Sequence, residues 1–146
     1  MDKTLYQTEK KARKERGGLA IGYLIDKIIK LEEVEVNNNN ILILEGTINK
    51  KRIKIILTYM DCYKGRSGKE YEENRKIQKE IEKHMEVEPD KYVICLGDLN
   101  GRLKVLEPHI ETDINGKIIE DWTERLGMHH LNQSNKCRVT YTYGED

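Results

Sequence analysis

Tyr92-Val93-Ile94-Cys95-Leu96-Gly97-Asp98-Leu99-Asn100-Gly101-Arg102 is the stretch on which the reading of this chain turns. Tyr92 to Leu96 form a short, uninterrupted apolar run, which predicts a strand buried on both faces. Gly97 ends the run, and Asp98 and Asn100 follow two apart. A carboxylate and a carboxamide are therefore expected at the carboxyl end of a central strand, where α/β sheets place their chemistry. Asp98 can accept a proton or hold a cation. Asn100 offers a neutral donor and acceptor that can touch a phosphoryl oxygen without adding negative charge. Asp and Asn are also ordinary turn residues after a strand. Gly-Asp-x-Asn alone leaves both readings open.

Upstream, Gly17 to Ile25 and Ile28 to Val36 read as strands, the second with partial alternation through Leu31, Val34 and Val36. Asn37-Asn38-Asn39-Asn40 reads as a turn, because Asn tolerates left-handed backbone and competes with ladders through its side chain. Ile41 to Ile48 and Arg52 to Leu57 predict a hairpin across Asn49-Lys50-Lys51, and the second strand runs on to Thr58-Tyr59. From Glu70 to Met85 the spacing changes. Ile77, Ile81 and Met85 recur every four residues, with Tyr71 and Asn74 further back on the stripe and Glu72, Lys76, Glu80 and Lys83 outside. This predicts an amphipathic helix packed on a sheet. A helix between two strands implies a crossover and some parallel pairing. Beyond Arg102, Asp113-Ile114-Asn115-Gly116-Lys117 has turn chemistry, and Glu120 to Gly127 reads as a short helix capped by Gly127. The fold class is α/β.

A chain of 146 residues fits one domain. The charged fraction of 36% nearly equals the apolar fraction of 37%, but Ile, Leu and Val cluster in strand-like runs, which argues against disorder. Phe is absent and Trp122 is the sole Trp, so aliphatic residues and Tyr must make the core. Net charge is zero, so no global field draws the chain to nucleic acid. Lys10-Lys11-Ala12-Arg13-Lys14-Glu15-Arg16 is locally basic and could meet phosphates, but residues 1–15 read first as a charged, solvated segment. Cys62, Cys95 and Cys137 are odd in number and lack Cys-x-x-Cys spacing. They suit free thiols in a reducing, intracellular compartment, with no disulfide partner and no zinc site. No run approaches the ~18 apolar residues of a membrane span, so no membrane partner is expected. Nuclear and cytosolic placement are not distinguished.

Taken in order, Arg16-Gly17-Gly18-Leu19-Ala20-Ile21, the Thr58-Tyr59 strand end, Gly97-Asp98-Leu99-Asn100, Asp113 to Lys117, Leu126-Gly127-Met128-His129-His130-Leu131-Asn132 and Val139-Thr140-Tyr141-Thr142 resemble the endonuclease/exonuclease/phosphatase superfamily. The chain looks most like the endonuclease domain of non-LTR retrotransposons. The resemblance spans Arg16 to Thr142 and implies an incomplete domain over 16–146, a partial two-sheet α/β sandwich of the DNase I-like type. It implies Mg²⁺-dependent phosphodiester hydrolysis of DNA. Asp98 matches the residue that orients or deprotonates the attacking water, Asn100 the one that steadies the phosphate, and Tyr59 a Tyr that reaches the scissile phosphate. Asp98 and Asn100 are the metal-ligand candidates, and Arg102 is a substrate-binding candidate on the same loop that equally suits a surface ion pair.

The family pattern also has an Asn and a metal-binding Glu on strands before the Gly-Gly strand, and a Ser-Asp-His after Thr-Tyr-Thr. No apolar strand ending in Glu lies among residues 1–15, and residues 143–146 read Tyr-Gly-Glu-Asp. Tyr59-Met60-Asp61 lacks the family's Tyr-x-Pro proline. The expectation is weak Mg²⁺ binding and impaired hydrolysis. The alternatives are another phosphoesterase of the superfamily, acting on RNA or small phosphates, and a non-catalytic binding remnant. His84, His109, His129 and His130 make no site by spacing, and Glu45 reads as an edge residue.

Overall fold

The described residues form the strands and helices β1 (Leu5–Lys11), β2 (Gly18–Leu24), β3 (Ile29–Val34), β4 (Ile41–Ile48), β5 (Lys51–Tyr59), α1 (Lys69–Glu82), β6 (Lys91–Asp98) and α2 (Ile114–Arg125). This computed structural model describes residues 5–11, 18–24, 29–62, 68–85, 88–105 and 108–131. The predicted strand 139–142 and Cys137 lie outside them. The architecture is α/β, with a mixed four-stranded sheet in the order β3-β4-β5-β6 and a β1-β2 ribbon. Two compact units divide the chain. One comprises residues up to Met60 and Lys76–Leu99, the other Asp61–Arg75 and the chain from Asn100 onward.

In the first unit the β4–β5 hairpin is closed by Asn49 and Lys50, with φ of 51° and 66°. Two successive left-handed residues make the turn whose twist matches paired strands. Lys51 therefore belongs to β5, paired with Ile48, and not to the loop. The crossover through α1 brings β6 parallel to β5, from Arg52↔Lys91 to Tyr59↔Asp98.

The expectation of a central strand buried on both faces fails for β6. Among the described residues β6 is the end strand of its sheet, and Tyr92 and Leu96 are 55% and 47% exposed. An apolar run reports residue type, not what covers it. The doubly covered strand is β4, where Ile41, Leu42, Ile43 and Leu44 are wholly buried. Together with Ile56, Ile77 and Ile81 they form the core. Each such side chain contributes about 1.5–3 kcal/mol through removal from water.

Within the charged N-terminal segment, residues 5–11 form a strand. Leu5–Lys11 pairs antiparallel with β2, from Leu5↔Leu24 to Lys11↔Gly18. Ladder bonds are made by the backbone, and charged side chains do not prevent them.

Helix α1 buries Asn74, Ile77, Gln78 and Ile81 along one stripe, whereas Tyr71, placed on that stripe by spacing, is 40% exposed. In the second unit the helix expected from Glu120 begins instead at Ile114. Asp113 accepts from the Gly116 N–H and caps it, so turn-forming residues initiate a helix rather than a loop. Its buried side is Asn115, Gly116, Ile118, Ile119 and Trp122. Gly127, with φ of 62°, terminates it as expected.

Candidate functional site

The carboxyl ends of β5 and β6 place Tyr59 and Asp98 side by side as register partners. Tyr59 is 38% exposed, and Asp98 is exposed as well. Two features of the backbone put them there. Gly97 has φ of 138°, and a Cβ on it would strike the Thr58 carbonyl. Only glycine permits this approach of β6 to β5. Beyond it the Met60 N–H donates to the Asp98 carbonyl at 2.9 Å, extending the pairing one residue past the strand.

The Asn tract borders the same rim. The Asn40 carbonyl accepts from the Tyr59 N–H at 3.1 Å and from the Thr58 hydroxyl at 3.0 Å. The Asn38 side chain accepts from the Asn40 N–H at 2.9 Å, and this local bond rigidifies the turn. Sequence reading identified the turn but not its neighbour, because strand register is not visible in a run of asparagines.

Asn100 and Arg102, in the second unit, lie on a loop held by α2. Asn100 has left-handed backbone, φ 45°, and its carbonyl accepts from Asn115 Nδ2 at 3.0 Å. Arg102 is exposed. Its N–H donates to the Asp113 carboxylate at 3.1 Å, and its carbonyl accepts from the Asp113 N–H at 3.3 Å. The structure thus brings Tyr59 to Asp98, and separately anchors Asn100 and Arg102 on α2. Asn74, Asp113 and Asn115 were missed as supports. The signal available was a carboxamide, Asn74, on an otherwise apolar helix stripe.

At the opposite end of β5–β6 a lattice of charges closes the sheet. Glu45, expected at an edge, lies on the interior strand β4 and pairs with Lys54 at 3.3 Å and Lys91 at 2.5 Å. Lys91 also meets Glu88 at 2.9 Å, and Glu88 meets Arg52 at 2.6 Å. Lys54 Nζ donates further to the His84 carbonyl at 3.0 Å. The Lys91 side chain is only 3% exposed, so its charge must be matched locally. Hydrogen bonding to Lys91 holds the Glu45 carboxyl below its ordinary range, and Glu88 likewise through Lys91 and Arg52. Hydrogen bonds from Glu45 and Glu88 raise the Lys91 ammonium.

Among the described residues, no three His, Cys, Asp or Glu side chains come together to hold a metal. Mg²⁺ seeks near-octahedral oxygen coordination, and Asp98 alone does not make a dedicated site for it. Cys62 and Cys95 are free thiols, and burial pushes the Cys95 thiol up to about 12, leaving it unreactive. No helix among the described residues is long and apolar enough to cross a membrane. Compared with known proteins, the chain is matched by no family model and by no curated sequence.

Proposed function

We propose that the chain is an intracellular phosphodiesterase domain of the endonuclease/exonuclease/phosphatase type, with a partial DNase I-like sandwich as its fold and DNA as its substrate. The observation that carries this is the pairing of an exposed Tyr59 with an exposed Asp98 at the carboxyl ends of parallel strands, held by a glycine-only approach at Gly97. A carboxylate there can take the proton of an attacking water, and a phenol beside it can donate to a phosphoryl oxygen. Asn100, by the resemblance, and Arg102, on the same loop, are assigned to phosphate oxygens as neutral and charged donors. Free Cys62 and Cys95 suit a reducing compartment. Hydrolysis in this reading is Mg²⁺-dependent but slow. The Asp98 carboxylate is a weak Mg²⁺ ligand by itself, so no step is assigned to the metal.

Nicking of supercoiled plasmid tests this. The full chain should nick slowly with Mg²⁺, and Asp98→Ala should abolish nicking while leaving the melting temperature in place. Tyr59→Phe should reduce it, since only the donor is lost. Equal nicking by wild type and Asp98→Ala would remove the assignment. Duplex binding without cleavage, unaffected by Mg²⁺, would make the chain a binding domain.

A further inference from the structure

The loop carrying Asn100 and Arg102 rests on the first turn of α2 with no side chain between the two backbones. A Cβ on Gly116 would strike the Arg102 carbonyl, and one on Gly101 would come within 2.6 Å of Ile119 Cδ1 and 2.9 Å of the Gly116 nitrogen. One carboxylate oxygen of Asp113 accepts from both the Gly116 N–H at 2.7 Å and the Arg102 N–H at 3.1 Å. The helix cap and the loop anchor are thus the same atom.

Asn115 completes the arrangement. It is wholly buried, and its Nδ2 donates to the Asn100 and Asp61 carbonyls, each at 3.0 Å. Its Oδ1 accepts from Asn74 Nδ2 at 3.0 Å. Asn74 Nδ2 also donates to the Asp61 carbonyl at 2.8 Å, and Asn74 Oδ1 accepts from the Asp61 N–H at 2.9 Å. Two buried carboxamides therefore satisfy each other and fasten two loops at once. This position needs a donor pair and an acceptor on one short side chain, and among residues of this size only Asn supplies both. Asn100, meanwhile, holds a left-handed backbone, φ 45°, which Asn accepts more readily than most residues.

We propose that Asp113 and Asn115 are positioning residues, which lock Asn100–Arg102 in the one loop conformation that offers an amide and a guanidinium to a nucleic-acid phosphate. The identity of the ligand rests on the phosphodiesterase reading; the locking of the loop does not. Fixing the loop backbone before the phosphate arrives removes the entropy of ordering it from the binding step.

Two variants separate positioning from stability alone. Asn115→Asp keeps shape and acceptor but removes both donors, whereas Ile118→Ala opens a cavity in the buried side of α2. Both are studied below their melting temperatures. One readout is hydrogen exchange at the Arg102 amide, and the other is the dissociation constant for a short DNA duplex. Asn115→Asp should accelerate Arg102 exchange and weaken duplex binding about tenfold, the scale of one lost buried hydrogen bond. Ile118→Ala should do neither beyond its change in global stability. Equal effects in both variants, or none in Asn115→Asp, would overturn the proposal. If the wild-type chain binds no duplex yet Arg102 exchange still distinguishes the variants, the locking stands and the phosphodiesterase reading falls.

Discussion

The two ends of the β5–β6 pair are made from the same strands and treat charge in opposite ways. At the amino end, Arg52, Lys54 and Lys91 interlock with Glu45 and Glu88 at 2.5–3.3 Å, and Lys91 is almost fully enclosed. At the carboxyl end, Tyr59 and Asp98 stand beside each other in solvent. Carboxylates committed to buried cations support the fold and have little left to offer a ligand. An exposed carboxylate at a strand end stays in contact with solvent and can meet a ligand that arrives there. This contrast, more than the abundance of charge, distinguishes the candidate site from the scaffold.

The largest expected effect strikes the strands that serve both ends. Ile43 is wholly enclosed in β4, so Ile43→Asp should cost more than about 4 kcal/mol and abolish soluble expression. Ile94→Asp, on β6, half-buried and the end strand among the described residues, should be milder and leave a folded, less stable protein. Urea denaturation of the two variants ranks them, and the reverse order would mean that β6 is the better enclosed strand.

Gly97→Ala comes next. It combines a positive φ with a collision against the Thr58 backbone, for a loss of about 2–3 kcal/mol. The damage should be confined to the carboxyl end. Backbone resonances of Thr58, Tyr59 and Asp98 should move while those of Glu45 and Lys91 stay.

Glu45→Gln probes the other end. It leaves two enclosed ammonium groups short of a carboxylate, a loss of about 2 kcal/mol. Glu45 and Glu88 have folded pKa values below their ordinary 4.5. Their contribution is therefore complete above pH 4.5 and fades as pH falls through the lowered values. Lys91 is raised above its ordinary 10.5. Its contribution is complete below pH 10.5 and fades as pH climbs through the raised value. Denaturation midpoints across pH should show both limbs in the wild type and a shallower acid limb in Glu45→Gln.

Asp98→Ala should have the smallest effect on stability, within about 0.5 kcal/mol, while removing all plasmid nicking.

Much of the sheet was legible because its signals are local. The hairpin turn after Ile48, one residue shorter than expected, the four-residue spacing of Ile77 and Ile81, and the Gly127 cap depend on nearby residues. What escaped depends on partners far along the chain. Whether Ile41–Leu44 or Tyr92–Leu96 would be the enclosed strand is set by strand order, which no single run encodes. Asp113 to Lys117 carries the same residue types in a turn as in a capped helix start. The close backbone contact with Arg102 selects the second. Tyr59 and Asp98 were named from the sequence, but that they adjoin follows only from the parallel register. The bridge from Asn115 to Asp61 and Asn100 joins residues 54 and 15 positions apart, and nothing in local pattern announces it.

The most direct measurement is a titration of isotope-labelled full chain with a short DNA duplex and Mg²⁺, followed residue by residue in amide spectra. The amino end supplies a natural competitor, because Arg52 is half exposed there and Lys51 lies over the Tyr92 ring at 5.5 Å. The account predicts that Tyr59 and Asp98 shift together with one dissociation constant while Lys51, Arg52 and Lys91 remain unmoved. Shifts centred on Lys51 and Arg52, with Tyr59 and Asp98 silent, would contradict it.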